Sequence, residues 1–137
     1  MKTKINILSL AVSLGCAKVQ AGDIVIIGNS NVPKIDVVMV QKIYTGKVIS
    51  VAGINITPVA VKVGMPERNR FLQEFMNQDE EKYTAYWTVR RYIGKGTPPN
   101  EFNTTADVIN YVKCTQGAVG YIDETQLDES INVITRK

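Results

Sequence analysis

Asp23-Ile24-Val25-Ile26-Ile27-Gly28 is an unbroken apolar, largely β-branched run that stops at a glycine. A strand with one wet face would alternate polar and apolar residues. This run does not, so it reads as a strand buried on both faces, as in a sheet covered by helices. Working outward, Asn29 to Pro33 is turn chemistry. Asp36 then caps a short helix with Val37, Val40 and Tyr44 on one stripe, ended at Thr45-Gly46-Lys47. A second strand is predicted at Val59-Ala60-Val61-Lys62-Val63. Pro66 opens a helix that carries Phe71, Leu72, Phe75 and Met76 on one face.

Asp79-Glu80-Glu81 starts another helix, acidic at its N-terminus as the helix dipole favours. Tyr83, Tyr86, Trp87 and Arg90 share one face of it, and a helical aromatic stripe of this kind reads as core. Gly94 to Pro99 cannot continue a helix. Its glycines and lysine do not make a phosphate loop, because the run follows a helix and lacks the Gly-Lys-Ser/Thr ending. Thr104 caps a further helix with Val108, Ile109 and Val112 inward. Residues 117–123 and 132–135 read as the last two strands. The alternation predicts an α/β fold, with a mostly parallel sheet and helices on both faces.

Upstream of Asp23 the chemistry is different. Met1-Lys2-Thr3-Lys4 is a short positive segment, followed by an apolar run to Cys16 that is too short to span a bilayer. Val19 and Ala21 suit a cleavage site. Residues 1–21 therefore read as a secretory signal peptide, and 22–137 as a single exported domain, periplasmic or secreted. A buried N-terminal element is the bland alternative, and the charged–apolar–small order argues against it. A lipid anchor on Cys16 is the weaker reading, since Ser13 stands where such signals carry leucine.

Removing the leader takes the 16 basic residues to 13, level with the 13 acidic ones. No net positive field remains to attract nucleic acid. Cys114 is then alone, without a disulfide partner, and its place after Val112 predicts a buried, inert thiol. The chain has no histidine, which removes histidine-based triads and histidine metal sites. No Asp/Glu cluster suggests a metal, and nothing points to a cofactor. An enzyme is the least supported class.

Three stretches together resemble a known family. Val38-Met39-Val40-Gln41-Lys42-Ile43-Tyr44-Thr45-Gly46-Lys47 is similar to a helix followed by an aromatic, a small residue and Gly-Lys in phosphate-binding proteins of ABC importers. Thr115-Gln116-Gly117-Ala118-Val119-Gly120-Tyr121-Ile122 resembles the family's Thr-x-Gly-Ala-Ile-Gly-Tyr-Val strand entry. Tyr86-Trp87 with Gly94 to Pro99 resembles short, one-lobe members. The resemblance covers about residues 23–123.

It implies one lobe, the second, of a type II periplasmic-binding-protein-like fold. It also implies weak binding of phosphate or a related oxyanion. In two-lobed members an Arg-x-Asp-Gly-Ser-Gly-Thr loop grips the anion at a helix N-terminus. Lys62-Val63-Gly64-Met65-Pro66-Glu67-Arg68 matches it here without the hydroxyls, with Pro66 lacking an N–H and Glu67 adding a negative charge. Lys62, Gly64, Arg68 and Arg70 are the candidate anion ligands. The bland reading of Arg68 and Arg70 is a solvated face that pairs with Glu67 and Glu74. The alternative function is a non-enzymatic periplasmic interaction module that kept the fold and lost the anion site. Its partner would be a membrane sensor, a transporter or an outer-membrane channel. No transmembrane segment is expected after the leader.

Overall fold

The computed structural model describes residues 22–137; the predicted leader and its Cys16 lie outside the described residues. The chain runs β1 (Ile24–Gly28), α1 (Val37–Tyr44), β2 (Ser50–Val51), β3 (Ile54–Asn55), β4 (Thr57–Val61), α2 (Pro66–Met76), α3 (Glu80–Tyr92), β5 (Asn100–Phe102), α4 (Thr105–Cys114), β6 (Ala118–Asp123) and β7 (Asn132–Thr135). Among the described residues the main sheet has five strands in the order β5-β4-β6-β1-β7, and β2 and β3 form a separate hairpin.

β4 is parallel to both β5 and β6. β1 is antiparallel to β6 and β7. Four strands therefore point one way, and β1 is inserted against them. The mostly parallel sheet is as expected, and every residue of β1 is buried. Alternation along the chain could not reveal the reversed strand, because direction is set by where β1 inserts.

The helix starts are built as their sequences predict. Asp36, Asp79 and Thr104 each accept a hydrogen bond from a backbone N–H three residues on, at 2.8, 2.8 and 3.1 Å. Each satisfies one of the donors a helix leaves unpaired. α2 and α4 cover opposite faces of β6. Tyr121 stacks on Phe71 of α2, with ring centroids 4.1 Å apart and planes 5° from parallel. Gly120, pointing the other way, sits under Val108 and Val112 of α4. Tyr44 and Phe75 extend the aromatic layer. The Tyr44 hydroxyl donates to the Val59 carbonyl at 2.9 Å.

α3 is tied to the end of α1 by its tyrosines. Tyr83 donates to the Tyr44 carbonyl at 2.8 Å and Tyr86 to the Thr45 carbonyl at 2.6 Å. These are carbonyls at a helix end that would otherwise lack partners. Trp87 is buried over Gly46, so the aromatic stripe is core, as its spacing predicts.

Two expectations fail. β4 ends at Val61 instead of Val63: Lys62 still donates its N–H to the Phe102 carbonyl, but the chain then turns, with Met65 N–H bonded back to the Lys62 carbonyl. Cys114 is exposed, not buried. The core-facing residues of α4 are Thr105, Val108 and Val112, and a residue two further on lies about 200° around a helix.

Candidate ligand site at the carboxyl edge of the sheet

The turn from β4 into α2 places Lys62, Val63 and Gly64 in solvent at the carboxyl end of the parallel strands. Open α/β sheets bind ligands at this edge. Gly64 has φ +93° and nothing within 4 Å of where a Cβ would stand. The backbone there is thus bare and in a conformation that favours glycine. Among the described residues Lys62 makes no ion pair. Met65, at the helix cap, provides no side-chain cap, and Pro66 occupies the first turn with Glu67.

Arg68 is not in this open turn. It lies on the buried face of α2 with Phe71, Leu72 and Phe75, and is 6 % exposed. Its Nε donates to Glu80 Oε2 at 2.7 Å and its Nη2 to Glu80 Oε1 at 2.8 Å. Nη1 donates to Glu101 Oε1 at 2.8 Å and to the Val61 carbonyl at 3.1 Å. Four of the five guanidinium N–H donors are therefore taken by the protein. Burial works against the charge, but the hydrogen bonds and charge of Glu80, with Glu101, outweigh it and raise the Arg68 pKa.

Arg70 lies elsewhere. Its Nη1 donates to Asp123 Oδ2 at 2.7 Å, and its Nε is 3.8 Å from Glu74 Oε1. The pairing with Glu74 is the one expected from the i,i+4 spacing. The expected partner of Arg68, Glu67, is replaced by Glu80 and Glu101. The structure thus keeps Lys62 and Gly64 together at the open turn, puts Arg68 beneath it, and takes Arg70 away to the end of β6.

Beside the turn, a cleft of ≈ 270 Å³ opens between α3 and the β4–β5 edge. Val63, Arg68, Thr84, Trp87, Arg91 and Glu101 line it. Tyr83 closes its inner wall; burial pushes its phenol up to about 12, so it stays neutral. Arg68 and Arg91 face Glu101 here, with Glu80 behind Arg68, so the cleft is balanced in charge. One of these residues was signalled by spacing. Positions 68, 71, 72 and 75 follow one helical stripe, which places Arg68 among apolar residues and implies a buried partner. Glu101, on a three-residue strand, carried no such signal.

No family model matches the chain, and no curated protein matches it. Solved structures do. A protein described as a phosphate ABC transporter substrate-binding protein, solved with bound phosphate, from Clostridium perfringens is 21% identical, with a TM-score of 0.63 over 82% of this chain and 44% of that one. An ABC-type phosphate transport receptor from Vibrio cholerae is 16% identical, with a TM-score of 0.57 over 82% of this chain and 45% of that one. The fold is therefore that of a lobe of a phosphate-type substrate-binding protein. The chain spans less than half the length of either neighbour. Among its described residues, no helix is long and apolar enough to cross a membrane.

Proposed function

We propose that the chain is an exported, non-enzymatic binding lobe that keeps the phosphate-binding-protein fold but does not clamp an oxyanion, and that acts by docking a protein partner. The observation behind this reading is the closure of Arg68. The guanidinium best placed to hold an anion near the α2 N-terminus already holds Glu80 and Glu101. A phosphate would have to displace a carboxylate from it. Pro66 removes one N–H from the first turn, and Glu67 repels negative charge. The leader pattern supports export to a compartment where a transporter, sensor or channel is the natural class of partner.

One observation favours a second reading, weak oxyanion binding at the turn. Lys62 and the open backbone of Gly64 stand together in solvent, and a phosphate resting there would gain one charge-assisted contact. Such binding would be shallow and screened by salt. Titration of residues 22–137 with phosphate, followed by thermal melting, separates the two. Linkage gives about 2.7 kcal/mol of stabilisation at a hundred times the dissociation constant. No shift at millimolar phosphate supports the docking lobe, and a clear shift supports the solute-binding module.

A further inference from the structure

The backbone nitrogen of Gly22 lies 3.1 Å from Asp123 Oδ1, and the Gly22 carbonyl oxygen accepts from Arg70 Nη2. The Asp123 side chain is only 9% exposed. Its Oδ1 also accepts from the Thr125 N–H at 2.9 Å and the Thr125 hydroxyl at 2.8 Å, and its Oδ2 from Arg70 Nη1 at 2.7 Å. Glu124 closes the other side. A Cβ on residue 22 would stand 2.4 Å from Glu124 Cγ, 2.9 Å from Asp123 Oδ1 and 3.1 Å from Glu124 Oε1. A side chain on residue 22 would therefore meet both carboxylates unless the Glu124 side chain moved aside.

A backbone amide offers one N–H and no charge, and among the described residues that N–H is bonded to Asp123 and not to Glu124. Arg70 offsets Asp123 but is itself shared with Glu74 at 3.8 Å. Arg136 touches Glu124 at 3.3 Å, the arginine more than half exposed and the glutamate half-buried. The neighbouring Asp23 is exposed and adds negative charge. A cation with several N–H donors completes the site better than an amide does. The sequence offers one, because cleavage after Ala21 would turn the Gly22 nitrogen into an α-ammonium.

We propose that the processed N-terminus is a structural part of this protein: the α-ammonium of Gly22 docks between Asp123 and Glu124 and locks the start of β1 to the end of β6. The inference rests on the export reading above. Hydrolysis of the Ala21–Gly22 peptide bond by a signal-peptidase-class enzyme consumes one water. It leaves a carboxylate on Ala21 and a protonated amine on Gly22. The Asp23 carbonyl already accepts from the Glu124 N–H at 2.8 Å, so the ammonium adds a charged bond to an existing backbone one. Leader removal then stabilises the fold as well as releasing it.

The test compares two forms, one beginning at Gly22 and one at Ala21, whose single extra residue replaces the ammonium by a peptide bond at position 22. At pH 6.5 the Gly22 form melts about 4 °C higher, the shift a single strong contact gives in a domain of this size. A partnered amine has its pKa raised above the ordinary value of about 7.8. Its contribution is therefore full below that value and is lost as pH rises through the raised one. The gap closes by pH 10.5, and it shrinks in Glu124→Gln, which keeps the shape of this half-buried side chain and removes its charge. Equal melting of the two forms at pH 6.5, or a gap undiminished at pH 10.5, overturns the proposal. Phosphate plays no part in this comparison, so its failure leaves the function proposed above untouched.

Discussion

Arg68 and Glu80 meet at two points: Nε to Oε2 at 2.7 Å and Nη2 to Oε1 at 2.8 Å. The pair joins α2 to the first turn of α3, and Glu101 extends it to the edge strand β5. One guanidinium thus holds together three elements that frame the carboxyl edge of the sheet. It is a side chain spent on architecture at the edge where open α/β sheets bind ligands.

Removing one member of the trio should therefore act on stability. Glu80→Ala leaves a buried guanidinium with half its partners. Breaking a fully buried pair costs about 3–5 kcal/mol, and the partial exposure of Glu80 reduces this to about 2 kcal/mol. Arg68→Met should cost less, because it removes the buried charge and leaves two carboxylates that reach water. Urea unfolding of both variants measures this. A neutral Glu80→Ala would show that the pair does not hold α2 to α3.

Trp87 is the chain's one tryptophan and is 5 % exposed. Trp87→Ala should destabilise the domain by about 3–5 kcal/mol, as truncation of a large buried aromatic does. In the intact protein its emission should be blue-shifted and should move to the red on unfolding. A native emission already at the solvent-exposed wavelength would place the indole at the surface instead.

Much of this was legible in the sequence, for identifiable reasons. The caps at Asp36, Asp79 and Thr104 act locally, within three residues, so composition reveals them. The stripe Phe71, Leu72, Phe75 follows one helical period, and β1 is buried on both faces, as a run without alternation implies. Short elements were missed, since Ser50–Val51, Ile54–Asn55 and Asn100–Phe102 hold too few side chains to display a period. At the candidate site, Lys62 and Gly64 were named from the resemblance, and the strand ends early enough to put both in the open turn. The fate of Arg68 depended on Glu80 and Glu101, 12 and 33 residues away, and no local pattern encodes such a meeting.

Cys114 bears on reactivity. Its thiol is exposed at the end of α4, so the native protein should take up one equivalent of a thiol reagent at the rate of an ordinary accessible cysteine. Labelling that waits for unfolding would mean that α4 is rotated from the orientation described.

Acid should weaken the fold through Asp123. Burial pushes this carboxyl up, but the Thr125 and Arg70 hydrogen bonds and the Arg70 charge outweigh it and hold it below the usual carboxylate range. A group with a depressed folded pKa contributes stability that is present above its unfolded value, about 3.9, and is lost as pH falls through the folded one. Melting temperature should therefore drop below about pH 4, and the drop should be shallower in Asp123→Asn. An identical acid profile in the variant would remove Asp123 from the account.

The central claim is that Arg68 is closed to ligands. It is tested most directly by following backbone amide resonances of residues 62–70 during phosphate titration of the wild type and of Glu101→Ala, which removes the side-chain acceptor of Arg68 Nη1. The account predicts resonances of the wild type that stay still, apart from any small, salt-sensitive movement at Lys62 and Gly64. It predicts a response at Arg68 and its neighbours only in Glu101→Ala. Saturable shifts at Arg68 in the wild type, at low millimolar phosphate and undiminished by salt, would contradict it and make the chain a phosphate-binding lobe.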